Sequence, residues 1–289
     1  MRISIVTDEI SADPETAIEL GVEWGVRDFE LRGFGQKRVP MLSEFEKDRI
    51  GELLEEFQAQ IVAISPGLFK FPYPTGSRER FPLRTFDYDL YQNWRSARDL
   101  IKYHMEELLP KSIEFAKQVG AELIVIFSFH RGVEAEGKAP DELVETLRRA
   151  ASEADKAGIS LVIEPEDEFW ADTGARTSEL VEAIDHPALA VNWDPGNAIV
   201  AGDTPYPDGY SALRQHVRHV HFKDVKLDAR GAYTYVLEGD IDWAGQIRAL
   251  ADDGYSGHIS VETHMGPKIS SAREMTRRLK QLIESVAPD

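Results

Sequence analysis

Acidic and imidazole side chains recur in the C-terminal half of the chain, each at the end of a short run of strand-forming residues. The runs LVIE, VNWD, HVHF and ISVE supply Glu164, Asp194, His221 and Glu262. Carboxylate oxygens and one imidazole nitrogen form a ligand set that suits Mn²⁺, Co²⁺, Mg²⁺ or Zn²⁺. Taken singly, a Glu or Asp at a strand end is more often a turn residue or a helix cap, and a strand-end His is more often a buried core residue. These residues can bind a divalent metal only if the fold brings the ends of the four runs together.

Side chains alternate between the two faces of a β-strand, and this alternation sorts all four runs in the same way. In one run, Val220 and Phe222 share a face. His219, His221 and Lys223 share the opposite face. The other three runs also have an apolar face and a face that ends in a carboxylate. A closed barrel explains the pattern, because outward side chains pack under helices and inward side chains converge at the mouth.

Two histidines lie on the same face of the run HVHF. His219 is two residues before His221, which places it about 6.6 Å deeper at the rise per residue of a strand. Imidazoles at such different depths do not easily share one coordination sphere. We therefore predict that His221 binds the metal and that His219 forms hydrogen bonds in the barrel interior, with the reverse assignment as the alternative.

Eight runs rich in β-branched residues recur along the chain, and helix-like segments follow nearly all of them. The runs lie at 3–7, 27–32, 60–65, 122–128, 159–164, 188–194, 217–222 and 257–262. Asp13 and Pro14 mark one helix start, and Gly158 and Gly254 mark two helix ends. The alternation predicts an α/β fold, a (β/α)8 TIM barrel that forms a single domain over residues 1–289. A doubly wound open sheet is the structural alternative.

Residues 66–94 interrupt this alternation with a segment rich in proline, aromatic and charged residues. A loop of this length usually has a function. After the third strand of a barrel it would lie on the catalytic face, either as a lid or as a contact with another subunit. The alternative is a surface excursion that covers the rim.

Charge and composition exclude several classes of function. A formal charge of −18 disfavours nucleic acids and anionic membranes as partners. The absence of cysteine excludes disulfides, thiolate catalysis and zinc–thiolate sites. No run approaches the roughly 18 apolar residues of a membrane span, and the N-terminus lacks an apolar core of signal-peptide length. We expect a cytoplasmic enzyme that can form homo-oligomers.

Longer stretches of the chain resemble the xylose-isomerase-like barrel superfamily of sugar and sugar-phosphate isomerases and epimerases. The stretches are VNWDPGNAIVAG, RHVHFKDVK, LEGDIDWAGQIRAL, GYSGHISVETH, FELRGF and SPGLFKFP. The resemblance implies that Glu164, Asp194, His221 and Glu262 hold one divalent metal, with Mn²⁺ as the first choice. It also implies that Glu164 and Glu262 form the acid/base pair, as in the ketose epimerases of the superfamily. Those enzymes often have a second histidine where this chain has Asn197.

This site predicts a metal-dependent isomerase or epimerase of a sugar, keto-sugar or sugar phosphate. A metal on the carbonyl oxygen acidifies the adjacent C–H, and a carboxylate removes that proton to give an enediolate. Returning the proton to the other face gives an epimer, and returning it to the neighbouring carbon gives an isomer. Further polar residues near the mouth are candidates for substrate binding, although structural salt bridges or hydrogen bonds are their simpler role. They are Glu30, Arg32, His130, Glu166, Asn197, Lys223 and His264.

Three other functions fit parts of the pattern. An inosose or dehydroshikimate dehydratase would use the same proton removal and then expel a β-hydroxyl group. An apurinic-site endonuclease would need three zinc ions, many histidines and a basic face, whereas this chain has eight histidines and a charge of −18. A non-catalytic sugar-binding barrel would be indicated by a missing metal ligand, and the sequence lacks none of the four.

Overall fold

A computed structural model describes residues 1–74, 97–131 and 137–286, and in this part of the chain eight parallel strands close into a barrel. They are β1 (Arg2–Val6), β2 (Asp28–Leu31), β3 (Gln60–Leu68), β4 (Leu123–Ile126), β5 (Ser160–Ile163), β6 (Leu189–Trp193), β7 (Val217–Phe222) and β8 (His258–Val261). Each strand pairs with the next along the chain, and β8 pairs with β1. The predicted single-domain (β/α)8 barrel is confirmed. The open sheet is excluded because an open sheet has two unpaired edge strands, whereas here β8 pairs with β1.

Helices follow the strands as the alternation predicted. They are α1 (Pro14–Glu23), α2 (Glu44–Phe57), α3 (Leu109–Val119), α4 (Asp141–Asp155), α5 (Gly174–Ile184), α6 (Pro195–Val200), α7 (Trp243–Asp252) and α8 (Lys268–Glu284). Among the described residues, further helical segments lie at Thr7–Ile10, Ala97–Tyr103, His104–Leu108, Pro205–Gly209, Tyr210–Leu213 and Arg214–His216. Two hairpins pair Gly33–Phe34 with Lys37–Arg38 and Val225–Leu227 with Tyr233–Tyr235. Across the described ranges, no helix has the length and apolar character needed to cross a membrane.

The helix boundaries follow from local chemistry. The Asp13 side chain accepts a hydrogen bond from Thr16 N, and Pro14 is the first residue of α1, as predicted. Gly158 and Gly254 have φ of 72° and 71° just beyond α4 and α7. Glycine tolerates this left-handed conformation better than other residues, so both helices end where the sequence predicted.

Apolar side chains pack on both faces of the barrel strands. The larger core lies between barrel and helices, and outward side chains such as Val220 and Ile259 are fully buried in it. A smaller cluster fills the barrel interior, and its fully buried members include Val125 and Val162. Truncating a core residue, as in Ile259→Ala, typically costs about 2–5 kcal/mol of stability. The outer layer therefore fixes the strands, and the strands fix the inward side chains.

Polar side chains replace apolar ones in the interior near β1, β2, β7 and β8. His219 is fully buried, and its Nε2 lies 2.9 Å from Glu30 Oε2 and 3.1 Å from Ser260 Oγ. Ser260 Oγ lies 2.6 Å from Ser4 Oγ. His219 thus occupies the interior, hydrogen-bonded position that its depth predicted.

The predicted loop over residues 66–94 falls only partly within the described residues. Its first residues belong to β3, which continues to Leu68 because the backbone there is buried and Leu68 O accepts a hydrogen bond from Phe127 N. Phe69 and Phe71 are fully buried directly after the strand. Residues 75–94 lie outside the described residues, so the role as a lid or subunit contact stays a prediction.

Candidate metal centre and pocket

The four predicted metal ligands come together at the C-terminal end of the barrel. Glu164, Asp194 and Glu262 directly follow β5, β6 and β8, and His221 is the penultimate residue of β7. Each residue offers one ligand atom, and these four atoms lie within 4.8 Å of one another. All four residues are buried, with no more than 4% of their surface exposed.

His221 is held so that one ring nitrogen faces the three carboxylates. Its Nδ1 lies 3.2 Å from Glu262 Oε2. The nearest oxygens of Glu164 and Asp194 are both 3.6 Å from the same nitrogen. Among the described residues, Nδ1 has no hydrogen-bond partner, whereas Nε2 lies 3.0 Å from Glu30 Oε2. Metal-binding histidines commonly have their second nitrogen held by a carboxylate, so this arrangement fits a divalent cation.

The buried charges of the centre perturb one another's pKa values. Burial raises the pKa of Glu164 against the attraction of His221. Burial also opposes ionisation of Asp194, but Lys223 and His221 outweigh it and lower the pKa of Asp194. Burial disfavours the charged form of His221, yet the surrounding carboxylates raise its pKa well above the usual value. The carboxylates thus depend on nearby positive charge, which a divalent cation would increase.

Lys223 contacts two of the predicted ligands. Its Nζ lies 2.7 Å from Asp194 Oδ2 and 2.8 Å from Glu262 Oε2, and its side chain is 1% exposed. Burial opposes the charged form, but the carboxylates of Asp194 and Glu262 raise the pKa of Lys223 well above its usual value. The lysine chain passes Gly196, where an added Cβ would lie 2.6 Å from Lys223 Cγ. Glycine at this position therefore leaves room for the lysine.

A pocket of about 420 Å³ opens over the centre. It is lined by Glu164, Glu262 and the predicted substrate-binding residues Arg32, Glu166, Asn197, Lys223 and His264, together with Lys70, Phe127 and Tyr235. A larger cavity of about 830 Å³ lies at the opposite end of the barrel, near Arg2 and His258. Barrel enzymes build their sites at the C-terminal ends of the strands, so we assign the smaller pocket to the substrate.

Glu30 and His130, which were predicted to bind substrate, do not line this pocket. Glu30 is fully buried and bridges His219 and His221, so it supports a predicted metal ligand instead. His130 Nε2 lies 2.8 Å from Glu168 Oε2, and His130 forms a backbone bridge to Phe169. Both residues therefore form the hydrogen bonds and ion pairs that were predicted as their simpler role, and neither borders this pocket.

Asn197 and Glu166 border the pocket beside β5. Asn197 Nδ2 donates to Glu164 Oε1 at 3.0 Å, which holds a predicted metal ligand in place. Glu166 Oε2 lies 2.9 Å from Lys70 Nζ, and that ammonium lies 4.2 Å from the centre of the Phe127 ring. The sequence did not identify Lys70 as a site residue, because no local pattern links position 70 to position 166.

An ionic network joins the segments after β1, β2 and β8. Arg32 Nη1 lies 2.7 Å from Glu262 Oε1, and Nη2 lies 2.8 Å from Glu9 Oε1. Arg32 Nε lies 2.9 Å from Asp8 Oδ1. Burial opposes the charged form of His264, but Glu262 and Glu9 raise its pKa to about 9. Asp8 and Glu9 were missed because the acidic segment TDEI has no metal-ligand spacing of its own.

Known proteins share this architecture. A family model described as a xylose isomerase-like TIM barrel matches residues 18–282. The inosose dehydratase of Clostridium perfringens is 22% identical over 203 residues, which cover 59% of this chain and 67% of that relative. The chain thus spans about two thirds of the length of this curated relative.

Solved structures give the same fold. The probable 3-DHS dehydratase of petrobactin synthesis from Bacillus anthracis is 19% identical, with a TM-score of 0.71 over 97% of this chain and 99% of that one. D-allulose 3-epimerase from Methylomonas sp., solved with D-allulose, is 15% identical, with a TM-score of 0.70 over 97% and 96%. The family match covers most of the chain, and the resemblance seen in the sequence is confirmed. The chain belongs to the xylose isomerase-like TIM barrel family.

Proposed function

We propose that the protein is a divalent-metal-dependent dehydratase that removes water from a polyhydroxylated ketone such as a keto-inositol. The sequence alone predicts an isomerase or epimerase, with a dehydratase as the alternative. The curated relative is named an inosose dehydratase and one structural neighbour a probable 3-DHS dehydratase. These names support a dehydratase better than an isomerase or epimerase.

The observation that carries the proposal is the position of Lys223. Dehydration of a β-hydroxy ketone needs a base for the proton next to the carbonyl and an acid for the departing hydroxyl group. Glu262 and Lys223 both line the pocket, and Lys223 Nζ lies 2.8 Å from Glu262 Oε2. The two side chains can therefore supply the base and the acid next to each other in the pocket.

The reaction follows from these two side chains. A divalent cation held by the four ligands would polarise the substrate carbonyl and acidify the neighbouring C–H. Glu262 takes that proton, the C–H electron pair forms the new C=C bond, and the C–O bond to the β-hydroxyl group breaks. The Lys223 ammonium protonates the departing hydroxyl group, which leaves as water. The proton on Glu262 then passes to the Lys223 amine, and both side chains regain their starting charge.

An isomerase or epimerase is the second candidate, and one observation favours it. Glu164 and Glu262 both line the pocket, so two carboxylates are available to remove and return a proton. In this reaction no C–O bond breaks, and Lys223 is not needed as an acid. Mn²⁺ remains our first choice of metal for either reaction, since a carboxylate-rich ligand set with one imidazole suits it.

Product mass distinguishes the two reactions. The Mn²⁺-loaded protein is incubated in heavy water with a keto-inositol, 3-dehydroshikimate or D-allulose, and the Glu262→Gln variant gives the background. A product that has lost one water molecule supports the dehydratase. An isomer that keeps the full carbon and oxygen count, with deuterium next to the carbonyl, supports the epimerase instead. A protein that takes up no divalent metal would refute both.

A further inference from the structure

We propose that Glu9 is a positioning residue for Glu262. The inference rests on the proposed function, because that function makes Glu262 a metal ligand and a base. Glu9 lies in the helical turn Thr7–Ile10 that directly follows β1 and is 2% exposed. It does not line the pocket. Its contacts with Arg32, Thr263 and His264 are the route by which Glu9 would affect the reaction.

One oxygen of Glu9 fixes the backbone that follows Glu262. Glu9 Oε2 accepts hydrogen bonds from Thr263 N at 3.1 Å, Thr263 Oγ1 at 2.8 Å and His264 N at 2.8 Å. His264 has a φ of 51°, in the left-handed region that non-glycine residues seldom adopt. Such a conformation persists only where its surroundings enforce it. The carboxylate of Glu9 supplies that constraint directly after the predicted ligand.

The other oxygen of Glu9 acts on the Glu262 side chain through Arg32. Glu9 Oε1 lies 2.8 Å from Arg32 Nη2, and Arg32 Nη1 lies 2.7 Å from Glu262 Oε1. Because Arg32 holds Oε1, Glu262 presents Oε2 to Lys223 and His221, at 2.8 Å and 3.2 Å. Glu9 thus constrains Glu262 from its backbone side and from its carboxylate side.

Glutamine cannot reproduce both contacts. Donors approach both oxygens of Glu9, and an amide offers only one acceptor oxygen. The NH₂ group of a glutamine at position 9 would face either Arg32 or the amides of Thr263 and His264. One of the two constraints on Glu262 is then lost. Loss of a group that orients a metal ligand typically weakens metal binding about 10–100-fold.

A double-mutant cycle on Mn²⁺ affinity tests the inference. The dissociation constant is measured by electron paramagnetic resonance for wild type, Glu9→Gln, Glu262→Gln and the double variant. We expect Glu9→Gln to weaken binding about 10–100-fold in wild type and to have little further effect once Glu262 is glutamine. Equal losses in both backgrounds would overturn the inference, because Glu9 would then act independently of Glu262.

The matched control is Asp28→Asn. Asp28 accepts from Gln60 Nε2 at 2.6 Å and lies 2.8 Å from His258 Nε2, at the opposite end of the barrel. This variant is expected to keep the Mn²⁺ affinity of the wild type. If Glu9→Gln does not fold, Glu9→Asp takes its place with the same expectations, because it keeps the charge but withdraws both oxygens by one methylene group.

Crystal structures of the metal-free wild type and the Glu9 variant give a readout that does not depend on metal binding. A displaced Glu262 carboxylate with β8 unchanged supports the inference. A Glu262 that stays in place overturns it, even if Mn²⁺ affinity falls. If the wild type binds no Mn²⁺, the proposed function fails, and the two structures still decide whether Glu9 positions Glu262.

Discussion

Replacing Lys223 with methionine removes the ammonium group and keeps most of the side-chain volume. The ammonium lies 2.7 Å from Asp194 Oδ2 and 2.8 Å from Glu262 Oε2, with 1% of the side chain exposed. Removing one partner of a buried ion pair typically costs about 3–5 kcal/mol, because the remaining charge is left buried and uncompensated. We expect the metal-free variant to lose about that much unfolding free energy in urea. Saturating Mn²⁺ should reduce the difference, since the cation compensates the same carboxylates.

The catalytic effect of Lys223→Met is expected to exceed its effect on substrate binding. A positioned general acid contributes about 10²–10⁴-fold to the rate. We therefore expect kcat for dehydration to fall by about that factor, with KM changed only a few-fold. Steady-state kinetics with the substrate that loses water, at saturating Mn²⁺, measure both constants.

Lys70→Met is the matched control for Lys223→Met. Lys70 also lines the pocket and pairs with Glu166 at 2.9 Å, but its side chain is 25% exposed. Partly exposed pairs contribute about 0–1 kcal/mol, so this variant should lose little stability and should mainly raise KM. If Lys223→Met keeps the wild-type kcat while Lys70→Met loses it, the assignment of Lys223 as the acid is refuted.

Three further substitutions test the site and the fold. Gly196→Ala places a Cβ 2.6 Å from Lys223 Cγ, so we expect it to displace the lysine and lower kcat at least about 10-fold with an unchanged circular dichroism spectrum. Asn197→Leu removes the donor to Glu164 Oε1, and Mn²⁺ titration should show binding weakened about 10–100-fold. Burial lowers the pKa of His104 from 6.5 to about 3. Between pH 6.5 and pH 3, His104 is therefore protonated in the unfolded chain but neutral in the folded one. The free energy of unfolding falls as pH falls through this range, by up to about 1.4 kcal/mol per pH unit. His104→Asn should lack this part of the pH dependence in urea unfolding at pH 7 and pH 5.

The sequence by itself determined the barrel and the set of four predicted ligands. Strand alternation is a local property with a period of two residues. Because the apolar face of each strand packs outward against helices, the opposite face is identified as the inward one without any tertiary information. Parallel strands of a barrel end at the same rim, which places Glu164, Asp194, His221 and Glu262 together. The start of α1 at Asp13 and the ends of α4 and α7 at Gly158 and Gly254 follow from equally local chemistry. The reaction class was less well determined, because dehydration and epimerisation begin with the same proton transfer.

Only the tertiary structure decided the partners of those ligands. The contacts of Glu9 with Thr263 and of Arg32 with Glu262 join segments more than 200 residues apart, and they exist because β1 closes against β8. The sequence predicted Glu30 near the mouth of the barrel, but strand register placed it beneath the pocket. Register and closure depend on how all eight strands tilt and stagger around the axis, and no single segment encodes them.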